Sequence, residues 1–127
     1  MLERFYEFLE HIGVSQTDVY TQKENDTTLV SFAQVTDSET NLIVSLVFYD
    51  ESERVEIYVA TESEDAESLT ILQKLNQLNM AYSGIVFFAS EDSVALKIFL
   101  EGNFELDDLI AKVMLAISVA DNELQNF

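Results

Sequence analysis

The sequence contains one histidine, His11, and no cysteine, which excludes thiol catalysis and cysteine metal sites. Catalysis through a histidine requires the imidazole to lie beside a nucleophile or a carboxylate within a cleft. The apolar residues Phe5, Leu9 and Ile12 recur at helical spacing, and His11 points away from the face that they form. We therefore predict a solvated histidine and a protein that is not an enzyme.

Acidic side chains occur in short groups, and carboxylate oxygens are the ligands that Ca²⁺ and Mg²⁺ prefer. The groups are Asp50, Glu51 and Glu53; Glu62, Glu64 and Asp65; and Glu91 and Asp92. None of them has the spacing of an EF-hand loop, and each also fits a turn or the start of a helix. The glycines are isolated, so a phosphate-binding loop is not predicted either. We predict no metal and no cofactor, and a divalent-metal-dependent regulator is the alternative.

The segment "LQKLNQLNMAY" places asparagines among leucines that recur at helical spacing. Asn79 lies four residues after Leu75 and three before Tyr82, so a helix puts it on the apolar stripe, whereas Asn76 falls toward the edge. A buried amide without hydrogen-bond partners costs about 1–3 kcal/mol, and the loop after the helix can supply partners. We predict a structural role, in which Asn79 ties this helix to the loop before the next strand. A pocket near Asn79 that binds a small ligand or performs catalysis is the alternative.

The chain is strongly acidic, with 24 Asp and Glu against six Lys and Arg and a formal net charge of −18. The basic residues are scattered singly along the sequence and form no cluster. Such a chain repels phosphate backbones and anionic lipid surfaces, which argues against nucleic acid or membranes as partners. Basic segments of other proteins are the partners that this charge attracts.

Nearly half of the 127 residues are hydrophobic, so the chain has enough apolar surface to form a core. The first residues, "MLERFYEFLE", carry acids inside their apolar stretch, which does not fit a signal peptide. The longest apolar runs, such as "NLIVSLVFY", are far shorter than a membrane span. We predict a cytoplasmic protein whose residues 1–127 form a single domain.

The elements that must position these side chains can be predicted from hydrophobic periodicity. The first helix carries Leu2, Phe5 and Leu9 and stops at Gly13, which is followed by apolar Val14. After a polar stretch with "KENDTT" as a turn, the β-branched and aromatic segments "LVSFAQV", "NLIVSLVFY" and "RVEIYVA" predict three antiparallel strands.

A second helix is predicted over "SEDAESLTILQKLNQLNMAY", with Ser63 as its N-cap and acids in its first turn. "IVFFAS" and "SVALKIFL" then form a hairpin around a turn at Glu91 and Asp92. A third helix over "FELDDLIAKVMLAISVADNEL" has an apolar stripe that runs from Leu106 to Leu124. The predicted fold is α+β, in the order αβββαββα, with a five-stranded antiparallel sheet and three helices.

Four segments carry a resemblance to a known family: "VEIYVATE", "LTILQKLNQLN", "GIVFFASEDSVALKIFLE" and "FELDDLIAKVMLAISVAD". Together with the order of elements they resemble the YbjN-like family, which is similar in fold to the small acidic chaperones of type III secretion. The resemblance covers nearly the whole chain, and Asp18 to Thr28 departs most from its pattern. It implies the αβββαββα fold, frequent dimerisation and protein binding. None of these segments is a catalytic signature.

The strands are apolar on both faces, because Ile43, Val47 and Tyr49 alternate with the core positions of "NLIVSLVFY". Tyr58 and Phe99 fall on the same second face. Either a helix covers this face, or it is an exposed apolar surface used for dimerisation or for binding a target. We predict the second, with two helices on the opposite face and the five residues as the candidate interaction surface. The overall prediction is a regulatory or chaperone-like protein that binds another polypeptide and forms a homodimer.

Overall fold

A computed structural model describes residues 2–49, 52–125 and 127 of the chain. Within these residues it contains three α-helices, one 3₁₀ turn and six β-strands. In chain order they are α1 (Leu2–His11), the 3₁₀ turn (Gln16–Asp18), β1 (Tyr20–Glu24), β2 (Thr27–Val35), β3 (Asn41–Tyr49), β4 (Arg54–Glu62), α2 (Leu69–Ala81), β5 (Val86–Ser90), β6 (Ser93–Glu101) and α3 (Leu106–Leu124).

The strands form one antiparallel sheet in the order β1-β2-β3-β4-β6-β5. The predicted α+β class and its helices are confirmed, but the prediction of five strands is wrong, because β1 adds a sixth at one edge. Every residue of β1 is exposed, so this strand lacks the alternation of buried and exposed positions that reveals a strand in a sequence. Backbone hydrogen bonds to β2 hold this strand in the sheet, since it has no buried face.

Helix α1 ends as its sequence predicts. The backbone N–H of Val14 donates to the carbonyl of Leu9 (2.8 Å) and that of Gly13 to the carbonyl of Glu10 (3.1 Å). Gly13 has φ +93°, and this left-handed conformation is one that residues with a Cβ rarely adopt. The pair of bonds is a Schellman motif, and buried Val14 provides its apolar contact.

Helix α2 begins later than predicted. Its N-cap is Ser68, whose hydroxyl accepts the N–H of Ile71 (3.3 Å), and the predicted cap Ser63 is a buried residue whose own N–H donates to the carbonyl of Asp92 (2.7 Å). The acids between these serines therefore lie in a turn and not in the first turn of a helix. The turn buries Ala66 in the core.

The core lies on one face of the sheet. The buried side chains of α1, α2 and α3 join a single cluster with alternate residues of the strands, among them Val30, Leu46, Ile57 and Leu96. The prediction that two helices cover this face is wrong, since all three described helices contribute to the same cluster. No described helix is left to cover the other face.

Candidate functional site

The uncovered face of the sheet is the candidate functional site, and we call it the open face. It consists of the strand residues that alternate with the core positions. Its apolar and charged members include Leu29, Val35, Ile43, Val47, Tyr49, Arg54, Glu56, Tyr58, Val86, Phe88, Lys97, Phe99 and Glu101. Several of these are large apolar side chains, and a contiguous exposed apolar patch often marks an interaction site.

All five residues of the predicted interaction surface lie on the open face. Strand register places Val47 opposite Glu56 and Glu56 opposite Phe99, so these three side chains form one row across the sheet. Ile43 and Phe99 are 51% and 47% exposed, whereas Val47, Tyr49 and Tyr58 are half-buried by their neighbours. The structure therefore brings the five together on one side of the molecule.

A buried carboxylate, Glu56, occupies the middle of the open face and is only 6% exposed. It accepts hydrogen bonds from the hydroxyls of Tyr49 (2.8 Å) and Tyr58 (3.2 Å). It also forms ion pairs with Arg54 (2.9 Å) and with Lys97 (2.9 Å). Opposite charges on neighbouring strands stabilise a sheet, and here the contacts join β3, β4 and β6.

The cluster keeps Glu56 ionised. Burial by itself raises the pKa of this carboxyl, but hydrogen bonds from Lys97, Tyr49 and Arg54, with the charge of Lys97, outweigh it and lower the pKa from 4.5 to about 2. The same hydrogen bonds to Glu56 raise the pKa of Tyr49 and of Lys97. The raised pKa of Tyr49 keeps its hydroxyl protonated, so that it donates to the ionised carboxylate.

Each of the two cations of this cluster lies beside at least one aromatic ring. The guanidinium carbon of Arg54 lies 5.6 Å from the ring centre of Tyr49 and 5.2 Å from that of Phe99. The ammonium of Lys97 lies 5.4 Å from the ring centre of Tyr58. These distances are those of cation–π contacts.

The charges of the cluster balance. Arg54 also pairs with Glu101 (2.8 Å), so two cations face two carboxylates, Glu56 and Glu101. A partner can therefore cover the centre of the open face without burying an uncompensated charge.

Sequence reasoning missed Glu56, Arg54 and Lys97 as members of the site. The signal was present in "RVEIY", where Arg54, Glu56 and Tyr58 alternate with Val55 and Ile57 and must share the face opposite the core. What the sequence could not show is that β6 pairs with β4, which brings Lys97 opposite Tyr58 and beside Glu56.

Asn79 lies outside the open face, at the edge of the sheet. Its amide donates to the carbonyl of Phe87 (2.9 Å) and accepts the N–H of the same residue (2.7 Å). Phe87 belongs to the edge strand β5, so one side chain satisfies two backbone groups that have no neighbouring strand. The predicted position within the buried stripe is wrong, because Asn79 is exposed and the stripe runs through Ile71 and Leu75.

The remaining candidate residues come together nowhere in the described structure. His11 is exposed on α1. Among residues 2–49, 52–125 and 127, no group of three His, Asp or Glu side chains is arranged to hold a metal ion. Two members of the predicted acidic groups, Asp50 and Glu51, lie outside the described residues.

A cavity of about 560 Å³ lies at the end of the sheet, between the β3–β4 hairpin and the loop before α3. Its lining includes Leu2, Phe48, Arg54 and Phe104. Asn79 is not part of this lining, so the cavity does not support the alternative of a ligand pocket around that residue.

Comparison with known proteins finds a similarity of structure but none of sequence family. No protein-family model matches the chain, and the search of curated proteins found no match either. A chain in the crystal structure of the ExsC–ExsE complex is similar with a TM-score of 0.65 and 18% sequence identity, over 94% of this chain and 87% of that one. The chain therefore shares its α+β fold with that chain of the ExsC–ExsE complex. In the described part of the chain, no helix is long and apolar enough to cross a membrane.

Proposed function

We propose that this chain is a non-enzymatic, chaperone-like protein that binds another polypeptide through the open face of its sheet. The observation that carries the proposal is an exposed apolar and aromatic surface that surrounds the charge-balanced cluster of Glu56. Ile43 and Phe99 are exposed members of this surface. The structural neighbour is itself a complex of two proteins, and this is consistent with the proposal.

The chemistry of the open face suits a polypeptide better than a small molecule. Tyr, Phe and Arg side chains dominate the centres of protein interfaces, where their large area is buried at a small cost in conformational entropy. Tyr49, Tyr58 and Phe99 are such residues, and Arg54 lies between two of the rings. Small molecules are held in concave pockets that enclose most of their surface, and a sheet face offers no such enclosure.

The proposal extends to the organisation of the protein. Residues 1–127 form one domain, which acts in the cytoplasm as a homodimer and belongs with the YbjN-like proteins that its sequence resembles. The acidic surface around the open face attracts basic segments of the partner and increases the rate of encounter. The identity of the partner will distinguish a chaperone from a regulator of that partner.

Substitution on the open face tests the proposal. Tagged wild type, Ile43→Glu and Phe99→Glu are used to capture proteins from native extract, and captured proteins are then purified and titrated by calorimetry. The matched control is Met114→Glu on α3, because Met114 is 46% exposed, similar to Phe99, and lies on the helix side. We expect the open-face variants to lose the partner and the control to retain it. Equal binding by all four proteins would refute the proposal, and thermal melts show that each variant is folded.

A further inference from the structure

The cavity at the end of the sheet offers an enclosure that the open face lacks. Its volume of about 560 Å³ lies within the range of pockets that hold small molecules, roughly 300–1,000 Å³. Leu2, Phe48, Val55 and Phe104 contribute apolar side chains to its lining. Such a space can take an aromatic or aliphatic group out of water.

The two loops that line this cavity are bonded to each other. The backbone N–H of Gly102 donates to the carbonyl of Glu53 (2.9 Å). The amide of Asn103, oriented so that its nitrogen faces Glu53, donates to both carboxylate oxygens (3.0 and 2.8 Å). These bonds join the β3–β4 hairpin to the loop between β6 and α3 and give the Glu53 carboxylate a defined position. A ligand therefore meets a site whose groups are already ordered, which lowers the entropic cost of binding.

The charge of the lining determines the charge of the ligand. Three described lining residues are charged, Glu53, Arg54 and Glu105. The guanidinium of Arg54 is already paired with Glu56 (2.9 Å) and Glu101 (2.8 Å), so its charge is compensated by carboxylates outside the lining. The carboxylates of Glu53 and Glu105 then leave the lining negative, in a chain whose net charge is −18. This field attracts a cation and repels a carboxylate or a phosphate.

We propose that this cavity binds a small amphipathic cation, an amine with an aromatic or alicyclic body. The body packs against Leu2, Phe48 and Phe104, and the ammonium pairs with Glu53 and lies near the aromatic rings, which also favour a cation. An amine without a large apolar body gains only an exposed ion pair, which is weak in water. The site is distinct from the surface proposed for the polypeptide partner, and neither proposal depends on the other.

Titration of the full chain with phenethylamine at pH 7, followed by two-dimensional proton–nitrogen NMR, tests the proposal. We expect saturable shifts of the amide signals of Gly102, Asn103 and Phe104, with a Kd of about 1 mM, as is usual for a ligand of this size. Phenethyl alcohol has the same body and a neutral head, and we expect it to bind about fivefold more weakly. Hydrocinnamate carries a carboxylate and ethylamine lacks the ring, so neither is expected to saturate these signals.

Substitution of the carboxylate tests the ion pair. Glu53→Gln keeps the shape of the side chain, and we expect it to raise the Kd of phenethylamine about fivefold and to leave that of phenethyl alcohol unchanged. The matched control is Glu67→Gln, which removes one exposed carboxylate from the turn before α2, outside the cavity lining. It is expected to keep the Kd of the wild type for both probes, and thermal melts show that each variant is folded.

Several results would overturn the proposal. If neither the amine nor the alcohol saturates the signals of the wild type, the cavity is not a binding site. Hydrocinnamate that binds as tightly as phenethylamine would contradict the preference for a cation. Ethylamine that produces the same shifts as phenethylamine would show that the net charge of the chain attracts amines without help from the apolar lining. Equal affinity of Glu53→Gln and wild type for phenethylamine would refute the ion pair.

Discussion

The contact between Asn79 and the edge strand leads to a quantitative prediction. Asn79→Ala removes two hydrogen bonds, of 2.9 and 2.7 Å, to the backbone of Phe87. Each such bond contributes about 0.5–1.5 kcal/mol net, so the pair contributes about 2 kcal/mol. Alanine is the better helix former by about 0.6 kcal/mol, which offsets part of this loss. We expect the free energy of unfolding to fall by about 1.5 kcal/mol.

The neighbouring asparagine supplies the matched control. Asn76 is exposed on the same helix, and its side chain forms no hydrogen bond among the residues that the structure describes. Asn76→Ala therefore gains the helix propensity without losing a contact, and we expect it to raise the free energy of unfolding by about 0.5 kcal/mol. The difference of about 2 kcal/mol between the two variants isolates the hydrogen bonds to Phe87.

Urea denaturation followed by circular dichroism measures both variants, with unchanged m-values as the check that the unfolded states are comparable. Asn79→Asp adds a further comparison, because its carboxylate can still accept the N–H of Phe87 but faces the carbonyl of the same residue with an oxygen instead of a donor. We expect it to be at least as destabilising as Asn79→Ala. Equal stability of Asn79→Ala and Asn76→Ala would show that the contact between α2 and β5 contributes nothing and would refute the reasoning.

Three other outcomes are expected. The pKa of Glu56 is about 2 in the folded chain against 4.5 for the free carboxyl, so its contribution to stability is fully present above pH 4.5 and is lost as the pH falls toward 2. Glu56→Gln should then lower the free energy of unfolding at pH 7 by roughly 2–3 kcal/mol, and the stability of the variant should depend less on pH than that of the wild type. Urea melts from pH 2.5 to 7 measure both effects. Plots of stability against pH that run parallel for variant and wild type would contradict the prediction. Because the chain carries a net charge of −18, raising NaCl from 10 to about 150 mM should raise the melting temperature, and an unchanged value would exclude self-repulsion as a limit on stability. Phe99→Lys should remain folded in circular dichroism, since the ring is half exposed, whereas an unfolded variant would identify this face as core.

Hydrophobic alternation was sufficient to predict the strands that have a buried face. Val55, Ile57 and Val59 are apolar, lie on one side of β4 and are buried. Alternate residues of β3 and β6 are buried in the same way. Strand β1 could not be found in this way, because none of its residues is buried and its stability comes from pairing with β2. The N-cap of α2 was misplaced because the acids after Ser63 suit the first turn of a helix, whereas the helix is capped by Ser68, whose hydroxyl accepts the N–H of Ile71.

The site was harder to predict than the fold because its charges act across strands. Sequence reasoning identified the apolar members of the open face from their alternation along single strands. Glu56 lies two residues from Arg54 and Tyr58, and these neighbours are visible in the sequence, but Lys97 approaches it only through the pairing of β4 with β6. Such a pairing is fixed by the order of strands in the sheet, which alternation along one strand does not determine.

The placement of charge indicates which parts of this surface can be removed from water. Carboxylates repel one another and hold water strongly, so a surface that carries them singly resists burial in any contact. Two regions of this acidic chain avoid that obstacle by different means. On the open face, Glu56 is neutralised by Arg54 and Lys97, so that the tyrosines and Phe99 around it can be covered without an unpaired charge. On α2 the acids are simply absent, and the exposed positions are filled by Leu69 and Met80. We therefore expect association at surfaces of these two kinds, because unpaired carboxylates oppose burial on the rest of the molecule.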